Sequence, residues 1–148
     1  MTVVLTYGTF DLLHVGHINL LRGARELGDR LLVGLSSDTF NALKHKSALQ
    51  DYASREAVLR AIRYVDDVFV EDSWEQKAND IRKYHGDLLV MGSDWQGEFD
   101  FLSRYCQVRY LPRTENISSS SLKALARENA PASQAAADVA VLPLRSSR

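Results

Sequence analysis

His14 and His17, separated by Val15 and Gly16, close the stretch Y-G-T-F-D-L-L-H-V-G-H at 7–17. An apolar run, Val3-Val4-Leu5, precedes it and a segment of helical periodicity follows, so the order reads strand, glycine-bearing turn, helix beginning near His17. That layout suits a nucleotide phosphate. Backbone N–H groups of the turn and of the helix N-terminus face an anion there, and the helix dipole favours it. Two imidazoles at this spacing reach the same phosphate oxygens, and Gly16 leaves room for close approach. A structural pair or half of a zinc site is the competing reading. Zinc needs three or four ligands, however, and Cys106, His45 and His85 lie far away in sequence.

Further groups of the same chemical sense occur downstream. Arg113 is followed by four consecutive serines at 118–121, ahead of a helical pattern. Hydroxyls there cap the helix or bind phosphate, and simple capping by Ser118 accounts for one serine but not for four beside an arginine. Lys44-His45-Lys46 is a basic segment that, taken alone, reads equally well as a solvated loop. Two histidines, a helix N-terminus, lysines and an arginine together suit a polyphosphate under attack. The reaction this suggests is nucleotidyl transfer, in which a phosphate-bearing nucleophile attacks the α-phosphorus of a nucleoside triphosphate and pyrophosphate leaves. Catalysis then consists of positioning and charge stabilisation, each well-placed donor being worth about 10²–10³ in rate.

The elements that must position these groups alternate along the chain. Residues 17–28 form a helical stripe through Ile18, Leu21, Ala24 and Leu27, with Gly28 suited to the C-cap. Residues 30–36 read as a buried strand, and Ser37-Asp38 as the start of a short helical turn. Residues 54–65 carry Val58, Ile62 and Val65 on one helical face, followed by a short strand at 68–70. Ser73 and Gln76 resemble a capping box opening a helix to about Tyr84, with Trp74 as its packing anchor. Apolar strands at 88–91 and 108–111 and a helix from Ser118 to about Glu128 complete the series. Continuous apolar strands alternating with helices predict an α/β fold: a single Rossmann-like, doubly wound domain with a five-stranded parallel sheet. Ligands in such sheets bind at the carboxyl ends of the strands, which places the loops after Gly8, at Asp38, at Gly92 and at Pro112 on one edge.

Composition narrows the class without choosing the function. The 148 residues carry 18 Lys+Arg and 19 Asp+Glu, a formal charge of −1 that gives no global footprint for nucleic acid or membrane. One cysteine, Cys106, excludes an intramolecular disulfide. The sequence has no charged leader and no apolar stretch of membrane-spanning length, so a soluble cytoplasmic protein is expected. Domain boundaries are expected at 1–128 for the catalytic domain and 129–148 for an Ala/Ser/Pro-containing mobile tail.

Beyond these readings, the chain resembles the glycerol-3-phosphate cytidylyltransferases, a branch of the H-x-G-H nucleotidyltransferase superfamily. The carrying motifs are T-Y-G-T-F-D-L-L-H-V-G-H at 6–17, R-Y-V-D at 63–66, W-E-Q-K at 74–77, M-G-S-D-W-Q-G at 91–97 and Y-L-P-R-T-E-N-I-S-S-S at 110–120. The resemblance implies transfer of a cytidylyl group from CTP to sn-glycerol 3-phosphate, giving CDP-glycerol and pyrophosphate for teichoic-acid or capsular polymer synthesis. It implies His14, His17, Lys44 and Arg113 as the catalytic set. Gly8, Thr9, Phe10, Asp11, Gly16, Lys46, Arg63, Asp94, Arg113, Thr114, Ile117, Ser118, Ser119 and Ser120 join the histidines around the nucleotide. Lys44, Arg55 and Lys77 take the acceptor. Mg²⁺ arrives with the triphosphate, and Asp11 holds either the turn or the metal. A homodimer is implied, with Tyr64, Val65 and Phe69 as the apolar residues available to it. Transfer to another alcohol or sugar phosphate, adenylyl transfer, and a nucleotide-sensing module without turnover are the alternatives. Two departures stand out: Asn116 replaces the family glycine of R-T-x-G-I-S, and Ser93 replaces a frequent aspartate. Asparagine tolerates positive φ well, so the loop is expected to survive.

Overall fold

The computed structural model describes residues 1–129; the expected mobile tail lies almost entirely outside them. The chain runs β1(Val3–Gly8), α1(Val15–Glu26), β2(Arg30–Ser36), α2(Asp38–Leu43), α3(Tyr52–Arg60), β3(Asp67–Glu71), α4(Lys77–Lys83), β4(Leu88–Gly92), β5(Gln107–Leu111) and α5(Ser119–Asn129), with two 3-10 segments between β4 and β5. All strand pairs are parallel and the sheet order is β3-β2-β1-β4-β5. The five-stranded parallel sheet is thus the one expected.

Two apolar layers explain why the strands are continuous apolar runs. Val4, Leu31, Val33, Leu35, Leu88 and Val90 face α1 and α3, whereas Val3, Leu5, Tyr7, Leu32, Leu89 and Met91 face Ile81 of α4, Phe99 and the 3-10 residue Leu102. Burial on both sides removes the apolar–polar alternation of a half-exposed strand. The order reverses direction at β1: the chain winds outward through β2 and β3, then returns to β4 on the other side. The crevice between the carboxyl ends of β1 and β4 is the topological switch point, where open α/β sheets take ligands.

Several boundaries differ from the periodicity reading, each for a local reason. α1 begins at Val15 because His14 is its N-cap. α3 begins at Tyr52, where the Asp51 carboxylate accepts from the Ser54 N–H at 2.8 Å, and it ends at Arg60. Ile62 and Val65 then pack on the core from the following turn instead of from the helix. Ser73 does not start α4. Gln76 folds back to accept from the Asp72 and Ser73 N–H groups and donates to Val70 and Asp80, so the residues before Lys77 form a turn.

Candidate functional site

The β1–α1 turn is strained and held from beneath. Phe10 and Leu12 have φ of 50° and 49°, values that bulky residues adopt only where the surroundings impose them. Arg55 is one such constraint. The residue is 1% exposed, and its guanidinium donates to the Thr9, Ser36 and Gln50 carbonyls and to Asp38. Its position corrects the acceptor role expected for it: Arg55 ties the ends of β1 and β2 together under the site and is absent from the cleft wall. Asp11 is a second constraint. Its carboxylate accepts from the Leu49 and Gln50 N–H groups and pairs with Lys123 at 2.8 Å. Burial pushes its pKa up, but the Lys123 and backbone hydrogen bonds outweigh that and hold it below the ordinary value. Of the two roles expected for Asp11, the geometry supplies holding the turn.

The histidines form a reciprocal cap at the start of α1. His14 Nδ1 accepts from the Gly16 N–H at 3.0 Å, and His17 Nδ1 accepts from the His14 N–H at 3.1 Å. An imidazole whose Nδ1 accepts must carry its proton on Nε2, so both rings are neutral Nε2–H donors. Protonation would turn each Nδ1 toward a backbone N–H as a second donor. Burial lowers the pKa of His14; burial and then the neighbouring His14 bring His17 down to about 4, against a small opposing effect of Asp11. The rings lie 3.9 Å apart between centroids. Gly16 serves this cap directly, because a Cβ there would come within 2.7 Å of the His14 ring. The sequence reading gave that glycine to the phosphate instead.

Beside this cap opens a cleft of about 410 Å³ at the switch point. Gly8, Thr9, Phe10, Asp11, His17, Lys44, Lys46, Lys77, Asp94, Ser119 and Ser120 all line it, as expected for site residues. His14 and Gly16 sit at its margin in the cap. Ser118 is the simple N-cap of α5, its Oγ accepting from the Ser121 N–H, and Ser119 donates to the Asp11 carbonyl. The first-turn N–H groups at Ser119 and Ser120 have no carbonyl one turn earlier in the helix and face the cleft end of α5. Arg113 is exposed at the rim, 3.5 Å from Asp94, and Thr114 accepts from Asn19. Ile117 lies against Gly16. Arg63 does not enter the cleft from a helix: it is exposed in the turn after α3, stacked on Tyr64.

The opposite wall is ionic. Lys44 Nζ donates to Ser36 Oγ at 2.9 Å, Ser36 Oγ donates to Glu71 at 3.0 Å, and Lys77 Nζ pairs with the other Glu71 oxygen at 2.6 Å. Burial, opposed by Glu71 and reinforced by Lys46 and Lys77, lowers Lys44 to about 8. Tyr7, whose hydroxyl donates to Asp80, is held protonated by burial and then by that carboxylate. Glu71, Tyr7, Phe99 and Lys123 were not foreseen as site residues. A carboxylate at the end of a short apolar strand, on the edge where ligands bind, was the available signal for Glu71. Trp74 is 45% exposed and lines the cleft, so it is a wall of the site and not a buried anchor. Trp95 stands beside it at 6.1 Å.

A glycine turn, a helix N-terminus carrying two neutral imidazole donors, and cations across a switch-point crevice define an α/β nucleotide-phosphate site. Sequence comparison agrees: the cytidylyltransferase-like family model matches residues 5–125, and the chain belongs to that family. It is 56% identical over 123 residues to a glycerol-3-phosphate cytidylyltransferase of Staphylococcus aureus, covering 83% of this chain and 93% of the relative. A Bacillus subtilis protein of the same name is 54% identical over 123 residues, with 83% and 95% covered. In fold, the chain is similar to a lipopolysaccharide core biosynthesis protein from Thermoplasma volcanium, with a TM-score of 0.70 at 24% identity over 78% of this chain and 99% of that one.

Proposed function

We propose that the protein transfers a cytidylyl group from CTP to sn-glycerol 3-phosphate, releasing pyrophosphate and forming CDP-glycerol as activated donor for a glycerol-phosphate polymer. The reciprocal histidine cap carries this reading. It presents two Nε2–H donors, fixed without reorganisation, where charge develops on the α- and β-phosphates during displacement. The acceptor oxygen attacks the α-phosphorus as the bond to the pyrophosphate oxygen breaks. Lys46, the first turn of α5 and Arg113 at the rim receive the polyphosphate, and Lys44 receives the acceptor phosphate across the cleft. Asp94, with backbone near Gly92, supplies acceptors for the cytosine amine. The names of the Staphylococcus and Bacillus relatives support the same substrates.

Mg²⁺ accompanies the triphosphate and neutralises part of its charge. The described residues contain no group of three or more His, Cys, Asp and Glu side chains placed to hold a metal, and Asp11 is already engaged by Leu49, Gln50 and Lys123. An ion delivered with the triphosphate would need few protein ligands, which suits the preference of Mg²⁺ for retaining several waters. No described helix is long and apolar enough to cross a membrane, and a CTP substrate fits a cytoplasmic site.

The chain also pairs as a C2 homodimer. Tyr64 and Val65 pack on its own core and Phe69 on Tyr7 and Tyr84, whereas Val58 and Val70, 40% and 41% exposed on α3 and the edge strand β3, remain for a partner. A light-scattering mass near 16.6 kDa at micromolar concentration would overturn this. The activity is tested by pyrophosphate release over four nucleoside triphosphates and a panel of alcohol and sugar phosphates. CTP with glycerol phosphate should give the highest kcat/KM. Preference for ATP or another acceptor would replace the substrates, and binding without release would make the protein a nucleotide sensor.

A further inference from the structure

Lys77 is a cation enclosed by the protein itself. It is 2% exposed at the start of α4, with Nζ 2.6 Å from Glu71. The same Nζ lies 4.6 Å from the ring centre of Tyr7, 5.2 Å from Trp74 and 5.1 Å from Phe99. Aromatic faces closing on an ammonium, with a carboxylate beside them, are how proteins recognise alkylammonium ligands. All these residues line the substrate cleft, so the cage is part of its wall and its occupant comes from the chain. With its charge matched by Glu71, Lys77 is poorly suited to neutralising an incoming phosphate, the role its sequence position suggested. Lys44, hydrogen-bonded through Ser36 to the same carboxylate, is the cation left for that purpose.

Resting on the cytidylyltransferase reading above, we propose that Lys77 sets the acceptor class by filling the aromatic cage. The site then rejects phosphorylated amino alcohols and takes an uncharged polyol phosphate. A cationic head group entering this wall finds the aromatic faces occupied and two lysine ammoniums beside it. Rejection thus comes from a built-in repulsive element as well as from lost attraction. A hydroxyl-bearing acceptor meets Glu71, whose carboxylate accepts from Ser36 and Lys77 and still has acceptor sites. The depressed pKa of Lys44, due to burial and in part to repulsion from Lys46 and Lys77, is consistent with a wall that disfavours a further cation.

Two measurements test this. In the wild-type protein, ethanolamine phosphate and choline phosphate should compete with glycerol phosphate only at concentrations about a hundredfold above its KM. Inhibition within about tenfold of that KM would overturn the proposal. In K77A, the emptied cage retains Glu71 and the three rings. Tetramethylammonium should then bind saturably, read by tryptophan fluorescence from Trp74, with no such response in the wild type. The choline phosphate to glycerol phosphate ratio of kcat/KM should rise at least about tenfold. A K77A protein with native circular dichroism, no tetramethylammonium response and an unchanged ratio would also overturn it. If K77A does not fold, K77M and the wild-type competition decide on the same terms. Absence of wild-type turnover with CTP and glycerol phosphate would instead sink the cytidylyltransferase reading, while the tetramethylammonium titration would still report on the cage.

Discussion

The two walls of the cleft are built from opposite chemistry. At the start of α1, two neutral imidazoles stand beside the cleft. Each is fixed by a hydrogen bond that its Nδ1 accepts from a backbone N–H, and neither needs a counter-ion. Across the cleft, Lys77 is an ion taken out of water and Lys44 a half-buried one, and both depend on Glu71 for compensation. Dipoles positioned in advance supply catalysis at little folding cost, whereas buried ions couple stability and function through one carboxylate. The difference predicts where substitutions unfold the protein and where they only slow it.

The largest expected effect is on the ionic wall. Glu71→Gln leaves the Lys77 ammonium buried without its counter-charge, and breaking a buried pair in this way costs about 3–5 kcal/mol. Thermal denaturation should show Tm lowered by roughly 10 °C or more. A Tm within experimental error of wild type would mean that cleft water already screens the pair, and the contrast between the walls would fail.

On the dipolar wall the loss should fall on rate. His17→Ala removes one Nε2–H donor and should lower kcat by about 10²–10³ in single-turnover or steady-state assays. It also removes the acceptor for the His14 N–H, a capping loss of about 1 kcal/mol. His17→Asn separates the two effects, because the amide oxygen keeps an acceptor near that N–H while the donor to phosphate is lost. Its kcat should fall as far as in the alanine variant, with Tm closer to wild type. Near-normal turnover with lowered Tm in both variants would make the histidines a cap and nothing more.

These contrasts explain what the sequence did and did not reveal. The sheet was legible because strands buried on both faces must be apolar throughout, as in Leu31-Leu32-Val33 and Leu88-Leu89-Val90. The histidines were legible because their spacing follows a strand and a glycine turn. Their capping role was not, since histidine seldom caps a helix and the bond is local geometry rather than pattern. Arg55 was read as a cation facing substrate because a sequence shows a charge without its partner, and the pairing of Lys77, which does line the cleft, was hidden in the same way. Thr9 and Glu71, which engage them, come from other elements that the fold brings underneath. Arg113, read as part of the catalytic set, is exposed beside Asp94 at the rim, a pairing that the sequence did not show.

pH separates the walls without mutation. Lys44, lowered to about 8, is cationic below that value and loses its charge above it. Glycerol phosphate kcat/KM should therefore fall by up to about tenfold per pH unit on the alkaline side, beginning near Lys44's value. Lys44→Arg should abolish that limb. His17, lowered to about 4, stays a neutral donor well below pH 6, so the free enzyme should show no limb due to His17 between pH 5 and 7 once substrate phosphate ionisation is accounted for. An acidic limb that vanishes in His17→Asn would show that the imidazole works as a cation, and the dipolar description would be wrong.

The smallest effect concerns the backbone that brings the α5 N-terminus to the dipolar wall. Asn116 has φ of 66°, the left-handed conformation for which glycine is the usual choice and asparagine the best-tolerated substitute. Asn116→Gly should leave Tm nearly unchanged, since relief of the conformational cost is offset by a more flexible unfolded chain. Asn116→Ala has no side-chain amide to support positive φ and should lose about 1 kcal/mol. Because the loop delivers Ser119 and Ser120 to the cleft, that variant should also raise the KM for CTP more than the KM for glycerol phosphate. Equal rises in both would mean that the loop serves the whole cleft. A change confined to glycerol phosphate would place α5 on the acceptor side and reverse the assignment of the two walls.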